Sequence, residues 1–200
     1  MRKALLIVDV QNDFLPGGSL EVPESDEIIP IILELVSQFE TVIATQDFHP
    51  VGHCSFASTH KKEVGDCIEV NGDEQVLWPD HCIQGTKGVN LHQSILDNVE
   101  LAKIVQKGTN LKVDSYSAFF DNDLESMTDL DEYLDSEDIT HLSVVGLATD
   151  YCVKNTVLDA LDLGYKVSVI LEGCRAVNLY PEDEEEAIKE MAAAGAQIIC

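Results

Sequence analysis

Basic residues are scarce in this sequence, in which 12 lysines and arginines stand against 37 aspartates and glutamates over 200 residues. The formal net charge is therefore −25, which repels phosphate backbones and anionic membrane surfaces. We expect neither a nucleic-acid partner nor a membrane partner. Acidic runs such as 182–186 are typical of a solvated surface that favours solubility, rather than of a dedicated cation store.

Long apolar runs are also lacking, since stretches such as Ala4–Val8 are far too short to cross a bilayer. The basic residues before that stretch are a faint signal-peptide feature, but Asp9 interrupts the run and no small-residue cleavage site follows. The six cysteines have irregular spacing and form no Cys-x-x-Cys motif. We therefore expect reduced thiols and a cytoplasmic protein.

The sequence does contain enough apolar residues, 45% of the chain, to build one core of ordinary size. No internal repeat, linker or change in composition divides it. We predict a single domain over 1–200, with the choice between a monomer and a homo-oligomer left open.

Apolar strand patterns alternate with amphipathic helix patterns along the chain. The predicted strands are Ala4–Val8, Thr41–Thr45, Lys103–Lys107, His141–Ala148, Tyr165–Leu171 and Gln197–Cys200. The predicted helices are Glu27–Phe39, His92–Val99, Leu124–Leu134, Thr149–Leu163 and Pro181–Ala194. Pro30 either kinks the first helix or sits in its first turn, and Pro181 is expected at the first position of the last helix. This alternation predicts an α/β protein, a three-layer α/β/α sandwich with a six-stranded, mostly parallel sheet.

The residues that follow the predicted strands are the first functional candidates, because such folds bind ligands beyond the carboxyl ends of their strands. Asp9 follows the first strand, Lys107 ends the third, and Cys152 lies in the first turn of a helix, where the dipole favours a thiolate. A buried cysteine alone is more often an inert hydrophobic residue. Together the three residues predict a hydrolytic nucleophile with a base and an orienting cation. The amides of Ala148 and Cys152 are candidates for the oxyanion hole.

Asp47 and His49 are two residues apart, so on an extended segment both side chains point to one face. With His81 from the far end of the long irregular region 48–88, they form a donor set suited to Zn, Fe or Mn. His53 is a possible extra ligand and Ser55 a possible water-holding group, although a structural loop role is equally compatible with both.

Two further sets of residues are candidates. A cysteine-rich zinc site could use Cys54, Cys67 and Cys82 with His81, but this spacing matches no finger pattern. The candidates for the wall of a ring-binding pocket are Phe14, Trp78, Tyr116 and Leu147. Each of these four is also compatible with an ordinary core position.

Several of these segments together resemble the nicotinamidase family of isochorismatase-like cysteine hydrolases, over nearly the whole chain. The segments are Asp9–Phe14, Thr45–Pro50, His53–Ala57, Trp78–Cys82, Lys107–Gly108, Asp114–Phe119 and Gly146–Val153. The resemblance implies hydrolysis of a small molecule, nicotinamide, to nicotinate and ammonia by a triad of Asp9, Lys107 and Cys152. It also implies one divalent metal ion, zinc in the first place, on Asp47, His49 and His81, and a cis peptide between Leu147 and Ala148.

Two alternatives stay open at the level of the sequence. Another amide or carbamoyl hydrolase of this fold would use the triad but would leave Asp47, His49 and His81 without a role. A non-catalytic metal-binding or thiol-sensing module, with Cys152 as a redox switch, would leave Asp9 and Lys107 unexplained.

Overall fold

Strands and helices alternate along the chain in the computed structural model, which describes residues 2–70 and 72–200. The strands are β1 (Arg2–Val8), β2 (Thr41–Asp47), β3 (Cys67–Val70), β4 (Asp73–Val76), β5 (Lys103–Lys107), β6 (Ile139–Leu147), β7 (Lys166–Arg175) and β8 (Gln197–Ile199). The helices are α1 (Ile28–Val36), α2 (Ala57–His60), α3 (Gln93–Asn98), α4 (Leu130–Ser136), α5 (Lys154–Asp162) and α6 (Asp183–Ala194). The predicted domain over 1–200 includes Met1 and Asn71, which lie outside the described residues.

Six strands form the central sheet in the order β5-β2-β1-β6-β7-β8. Each of the five neighbouring pairs is parallel, so the predicted six-stranded sheet is confirmed. Parallel strands end at the same edge, and this order brings the carboxyl ends of β5, β2, β1 and β6 side by side.

The sheet is covered on both faces, because residues of β1 alternate between two apolar clusters. Leu6 packs in the cluster that contains residues of α4, α5 and α6, whereas Leu5 and Ile7 pack in the cluster that contains residues of α1 and α3. The predicted α/β/α sandwich is confirmed. None of the described helices is long and apolar enough to cross a membrane.

The predicted helix Leu124–Leu134 is wrong at its start, since α4 begins only at Leu130. The preceding residues form a turn in which Leu124 adopts the left-handed conformation, with φ 58°. The Thr128 hydroxyl accepts a hydrogen bond from the Leu130 amide, so the side chain competes with a helical backbone at this point.

Two proline expectations have different outcomes. Pro30 lies in the first turn of α1, where a missing N–H is tolerated. Pro181 precedes α6, which begins at Asp183, so its expected place at the first helical position is wrong.

The predicted helix Thr149–Leu163 starts with a π-helical turn over Thr149–Val153 and continues as α5.

The long region 48–88 contains elements that the sequence patterns did not predict. These are the short helix α2 and the antiparallel hairpin of β3 and β4. The hairpin has no continuous apolar pattern to mark it, since its strands are short and charged. Its return segment leads into Trp78 and so shapes the wall of the site.

Candidate active site

The ends of four neighbouring strands carry the polar residues of the site. Asp9 follows β1, Asp47 is the last residue of β2, Lys107 is the last residue of β5, and Cys152 lies in the turn after β6. All four are buried, although they include two carboxylates and an ammonium group. Buried charges require partners, and these residues supply partners for one another.

Lys107 connects the other three residues. Its Nζ forms a hydrogen-bonded ion pair with Asp47 Oδ1, donates to the Ser115 carbonyl oxygen at 2.9 Å and donates to Cys152 Sγ at 3.4 Å. These bonds use the three hydrogens of the ammonium group. Asp9 Oδ2 lies 2.9 Å from Nζ, within ion-pair distance, yet it receives no hydrogen bond from the described residues.

The pairing of Lys107 with two carboxylates determines its charge and that of Asp47. Burial would lower the pKa of Lys107, but Asp47 and Asp9 raise it well above its usual value. Burial would raise the pKa of Asp47, but the charges of Lys107 and His49 hold it well below its usual range. Both groups are therefore charged at neutral pH.

Asp9 and Cys152 differ from Lys107 and Asp47, because the pKa values of Asp9 and Cys152 are raised toward their neutral, protonated forms. Burial raises the pKa of Asp9, and the neighbouring Asp47 adds to this shift, against the opposing effect of Lys107. Burial also raises the pKa of the Cys152 thiol well above its usual value, with Asp9 and Asp47 adding to it against Lys107. Burial therefore opposes the thiolate that the sequence predicts at this helix end.

Cys152 lies in the π-helical turn, and the peptide bond between Leu147 and Ala148 that precedes this turn is cis. The expected cis bond is thus present. Ala148 and Cys152 both line the same cavity, so the backbone places the two residues of the expected oxyanion hole beside the thiol.

Asp47, His49 and His81 lie together, as the sequence suggested. The Oδ2 of Asp47 is 3.6 Å from Nε2 of His49 and 3.8 Å from Nε2 of His81. Their ligand atoms all lie within 4.8 Å of one another. A carboxylate and two imidazoles at this separation fit a divalent transition metal ion.

Hydrogen bonds to the other ring nitrogens orient the two imidazoles. His49 Nδ1 lies 2.8 Å from the Gly108 carbonyl oxygen, and His81 Nδ1 lies 2.8 Å from the Pro79 carbonyl oxygen. Carbonyl oxygens only accept, so each Nδ1 donates and each Nε2 keeps its lone pair for a ligand. Gly108 has φ +61°, and a Cβ at this position would meet the His49 ring, so the close approach requires glycine.

Gln11 and Asp13, in the segment after β1, fix the backbone that carries the candidate metal ligands. Gln11 bridges the backbone of Asp47, accepting from its amide and donating to its carbonyl oxygen, both at 2.8 Å. Asp13 Oδ2 accepts from the amide of Cys82 at 2.7 Å and so fixes the segment that carries His81. Neither residue was a candidate before, although both lie in the Asp9–Phe14 segment that carries the resemblance.

His53 stacks on the ring of His49, with centroids 4.1 Å apart, but its nitrogens already have protein partners. Nδ1 pairs with the Ser55 hydroxyl at 2.8 Å and Nε2 with the Val113 carbonyl oxygen at 3.2 Å. Burial, helped by the charge of His49, lowers the pKa of His53 to about 4. Ligand atoms of His53, His49 and Asp114 also lie within 4.8 Å of one another, so these residues form a second group that could hold a metal ion. The Ser55 hydroxyl is hydrogen-bonded to His53.

The cysteine-rich zinc site is not formed in the described part of the chain. Cys54 and Cys82 are buried whereas Cys67 is exposed, and His81 joins Asp47 and His49 instead. All six cysteines are free thiols.

A cavity opens in front of Cys152, Asp47 and His81. Of the predicted wall residues, Phe14, Trp78 and Tyr116 line it. Leu147 does not: its side chain is buried in the core cluster that contains α1 and α3. The wall residues that sequence reasoning missed are Leu20, Val22, Asp114, Tyr151 and Val177.

Hydrogen bonds join several of the wall residues. Trp78 Nε1 donates to the Tyr116 hydroxyl at 3.1 Å, and Gln75 Nε2 donates to Asp114 Oδ2 at 2.9 Å. The Tyr151 ring packs edge-on against Trp78, with centroids 4.9 Å apart. The β3–β4 hairpin, which carries Gln75, is thereby attached to an aromatic wall that suits a flat ring.

Comparisons with known proteins identify the family and similar structures. Residues 3–200 match the family described as isochorismatase domain. The nicotinamidase of Escherichia coli K12 is 51% identical over 200 residues, which cover 98% of this chain and 93% of that protein. The yeast nicotinamidase bound to the inhibitor nicotinaldehyde superposes with a TM-score of 0.92 at 35% identity, covering 98% of this chain and 99% of the yeast chain. The pyrazinamidase of Pyrococcus horikoshii in complex with zinc superposes with a TM-score of 0.80 at 35% identity, covering 100% and 99%.

Proposed function

This chain belongs to the isochorismatase family, and we propose that it is a nicotinamidase, which hydrolyses nicotinamide to nicotinate and ammonia through a thioester on Cys152. One observation carries the proposal: the Cys152 thiol, to which Lys107 donates a hydrogen bond, lines the same cavity as two members of a metal-type trio. The trio is Asp47, His49 and His81, and its members Asp47 and His81 line the cavity. A hydrolase of aliphatic amides would need only the triad of Asp9, Lys107 and Cys152. A hydrolase of a pyridine carboxamide would use the triad for the amide and the metal-type trio for the ring nitrogen.

The substrate ring is proposed to lie between Phe14 and the Trp78–Tyr116 wall, with its carboxamide toward Cys152. Asp47, His49 and His81 would hold one divalent ion, for which we propose zinc because imidazole and carboxylate ligands suit it and a zinc-bound relative shares the fold. Such an ion would supply a Lewis acid for the pyridine nitrogen. The apolar and aromatic wall excludes water from the carboxamide and holds it for attack.

Acylation begins with transfer of the thiol proton of Cys152 to Asp9. Oδ2 of Asp9 is suited to accept it, since it lies at the triad and receives no hydrogen bond from the described residues. Lys107 stabilises the thiolate as it forms, because its Nζ already donates to the sulfur. The thiolate attacks the carboxamide carbon, and the amides of Ala148 and Cys152 stabilise the oxyanion.

Asp9 then returns its proton to the amide nitrogen, the carbon–nitrogen bond breaks, and ammonia leaves a nicotinoyl thioester on Cys152. Water attacks the thioester carbon while Asp9 takes one of its protons. The carbon–sulfur bond breaks, Asp9 returns the proton to the sulfur, and nicotinic acid is released and loses its remaining proton to the solvent or to ammonia, which gives nicotinate. A base with a raised pKa fits this role, because it must both accept and return a proton near neutral pH.

The yeast relative was solved with the inhibitor nicotinaldehyde, and this supports the proposed chemistry. The aldehyde has the ring of nicotinamide, and a thiol can add to its carbonyl carbon to form a hemithioacetal that resembles the tetrahedral intermediate. We propose the same addition by Cys152. We also propose a reducing compartment, the cytoplasm, because six free thiols are retained in the described chain.

Selectivity between two substrates tests the proposal. Nicotinamide and benzamide share a ring size and a carboxamide, but benzamide lacks the ring nitrogen. A site built around a specific polar contact rejects the analogue that lacks it by at least about a hundredfold in kcat/KM. Ammonia release should therefore strongly favour nicotinamide, whereas equal kcat/KM values would indicate a general amidase.

A further inference from the structure

Thr45 has no role in the chemistry described so far, yet its hydroxyl oxygen lies closer to the carboxylate of the proposed base, Asp9, than Lys107 Nζ does. It lies in β2, fully buried, beside the end of β1. Its hydroxyl donates to Asp9 Oδ1 at 2.5 Å. The same hydroxyl accepts from the Asp9 amide at 3.1 Å.

The direction of these two bonds follows from the groups involved. A backbone amide can only donate, so the Thr45 oxygen accepts from it, and the single hydroxyl hydrogen is left for Asp9 Oδ1. Thr45 therefore holds both the backbone and the side chain of Asp9. The backbone needs such support, since Asp9 has φ 48°, a conformation uncommon for residues other than glycine.

The two oxygens of Asp9 are thus in different environments. Oδ1 is engaged by Thr45, whereas Oδ2 faces Lys107 at 2.9 Å and has no hydrogen-bond donor among the described residues. Protonation of Oδ1 would compete with the Thr45 hydrogen bond in a buried site, which is costly. Protonation of Oδ2 leaves the Thr45 hydrogen bond in place and weakens the ion pair with Lys107, whose Nζ keeps its contacts with Asp47, Ser115 and Cys152.

We propose that Thr45 is a positioning residue that directs the proton of Cys152 to Oδ2 of Asp9, by occupying Oδ1 and by fixing the carboxylate plane. The proposal rests on the proposed function, because it requires Asp9 to be the base. It assigns to one hydroxyl group a specific effect on the rate of proton transfer. It assigns no part in substrate binding to Thr45, which does not line the cavity.

Three variants of Thr45 separate the hydroxyl from the rest of the side chain. Thr45→Val keeps the shape and the β-branch, Thr45→Ser keeps the hydroxyl, and Thr45→Ala lacks both. Thr41→Val is the matched control, since Thr41 is a buried threonine of the same strand, four residues away and on the same face. Each purified, metal-loaded variant is assayed for kcat and KM with nicotinamide, for bound metal and for thermal unfolding.

Thr45→Val should lower kcat by about tenfold or more, as general-base catalysis contributes factors of this order and above, while KM stays within about twofold. Thr45→Ser should keep most of the wild-type kcat, and Thr41→Val should match the wild type. If Thr45→Val does not fold, the comparison of Ser with Ala gives the same test, since the two differ by one oxygen atom.

Three results would overturn the role of Thr45. These are a wild-type kcat in Thr45→Val, equal losses of kcat in the Ser and Ala variants, or a loss that follows the metal content of each variant. A wild-type protein that releases no ammonia from nicotinamide would instead contradict the proposed function. The two failures are therefore distinguishable.

Discussion

Lys107 Nζ lies 3.4 Å from Cys152 Sγ and donates a hydrogen bond to it. The same ammonium group forms ion pairs with the buried carboxylates of Asp9 and Asp47, so its positive charge offsets the repulsion between these two negative groups. In the proposed reaction, this contact lets a thiol whose pKa is raised by burial lose its proton. The cation is already in place where the thiolate charge develops.

Replacement of Lys107 tests this relationship. Lys107→Met leaves Asp9 and Asp47 buried without their cation, so the free energy of unfolding should fall by about 3–5 kcal/mol, and activity should be lost. Lys103→Met is the matched control on the same strand, because Lys103 forms an ion pair with Asp129, whose side chain is 65% exposed. Its effect on unfolding should stay below about 1 kcal/mol.

Urea-induced unfolding of the two variants measures the difference. Equal effects of Lys107→Met and Lys103→Met would mean that the buried carboxylates do not depend on Lys107 for their charge balance.

Asp9 gives a prediction for pH dependence. It must be ionised to accept a proton, and its pKa is raised by burial. Activity should therefore fall as the pH decreases through that raised value, which lies above the usual 3.8. Asp9→Asn keeps the shape of the side chain but cannot accept the proton, so kcat should fall by about 10²- to 10⁴-fold.

The pH profile of kcat/KM for the wild type and for Asp9→Asn is the measurement. The variant should have lost the acidic limb that Asp9 produces. A variant with a near wild-type rate, or with an unchanged acidic limb, would place the base elsewhere.

The metal-type trio gives a third prediction. Burial would lower the pKa of His49, but the Asp47 carboxylate raises it above the usual 6.5. Protons should therefore compete with the metal already above pH 6.5, and the apparent affinity for zinc should fall as the pH decreases. His81→Ala should reduce bound metal and activity together, while His141→Ala, on β6 away from the site, should change neither.

Metal content by mass spectrometry, after dialysis at several pH values, checks both statements. A His81→Ala protein that keeps a stoichiometric ion would show that the ion is bound by other residues.

The proximity of Asp9, Lys107 and Cys152 could be predicted from the sequence, because each ends or follows an apolar strand. Their proximity follows from a general property of parallel sheets. The proximity of Asp47, His49 and His81 was predicted from a different signal, the spacing of Asp47 and His49 and the ligand chemistry of all three. The sequence does not contain the order of the strands, which places β5, β2, β1 and β6 side by side.

Other residues could not be found, because their roles come from contacts across the fold. Thr45 is one of several threonines in the sequence, and only the parallel pairing of β1 and β2 brings its hydroxyl to Asp9. Asp114 and Gln75 meet through a hairpin with no apolar pattern. Leu147 was misplaced since the chain turns immediately after it, so Ala148 and not Leu147 reaches the cavity.

Ammonia release from nicotinamide by the wild type and by Cys152→Ala, at equal metal content, is the most direct measurement of the central claim. The substitution replaces the thiol by a hydrogen atom, so no thioester can form, while the fold and the metal-type trio are left in place. The account predicts rapid release by the wild type and release at the uncatalysed rate by the variant. Turnover of nicotinamide by Cys152→Ala at a rate close to that of the wild type would contradict it.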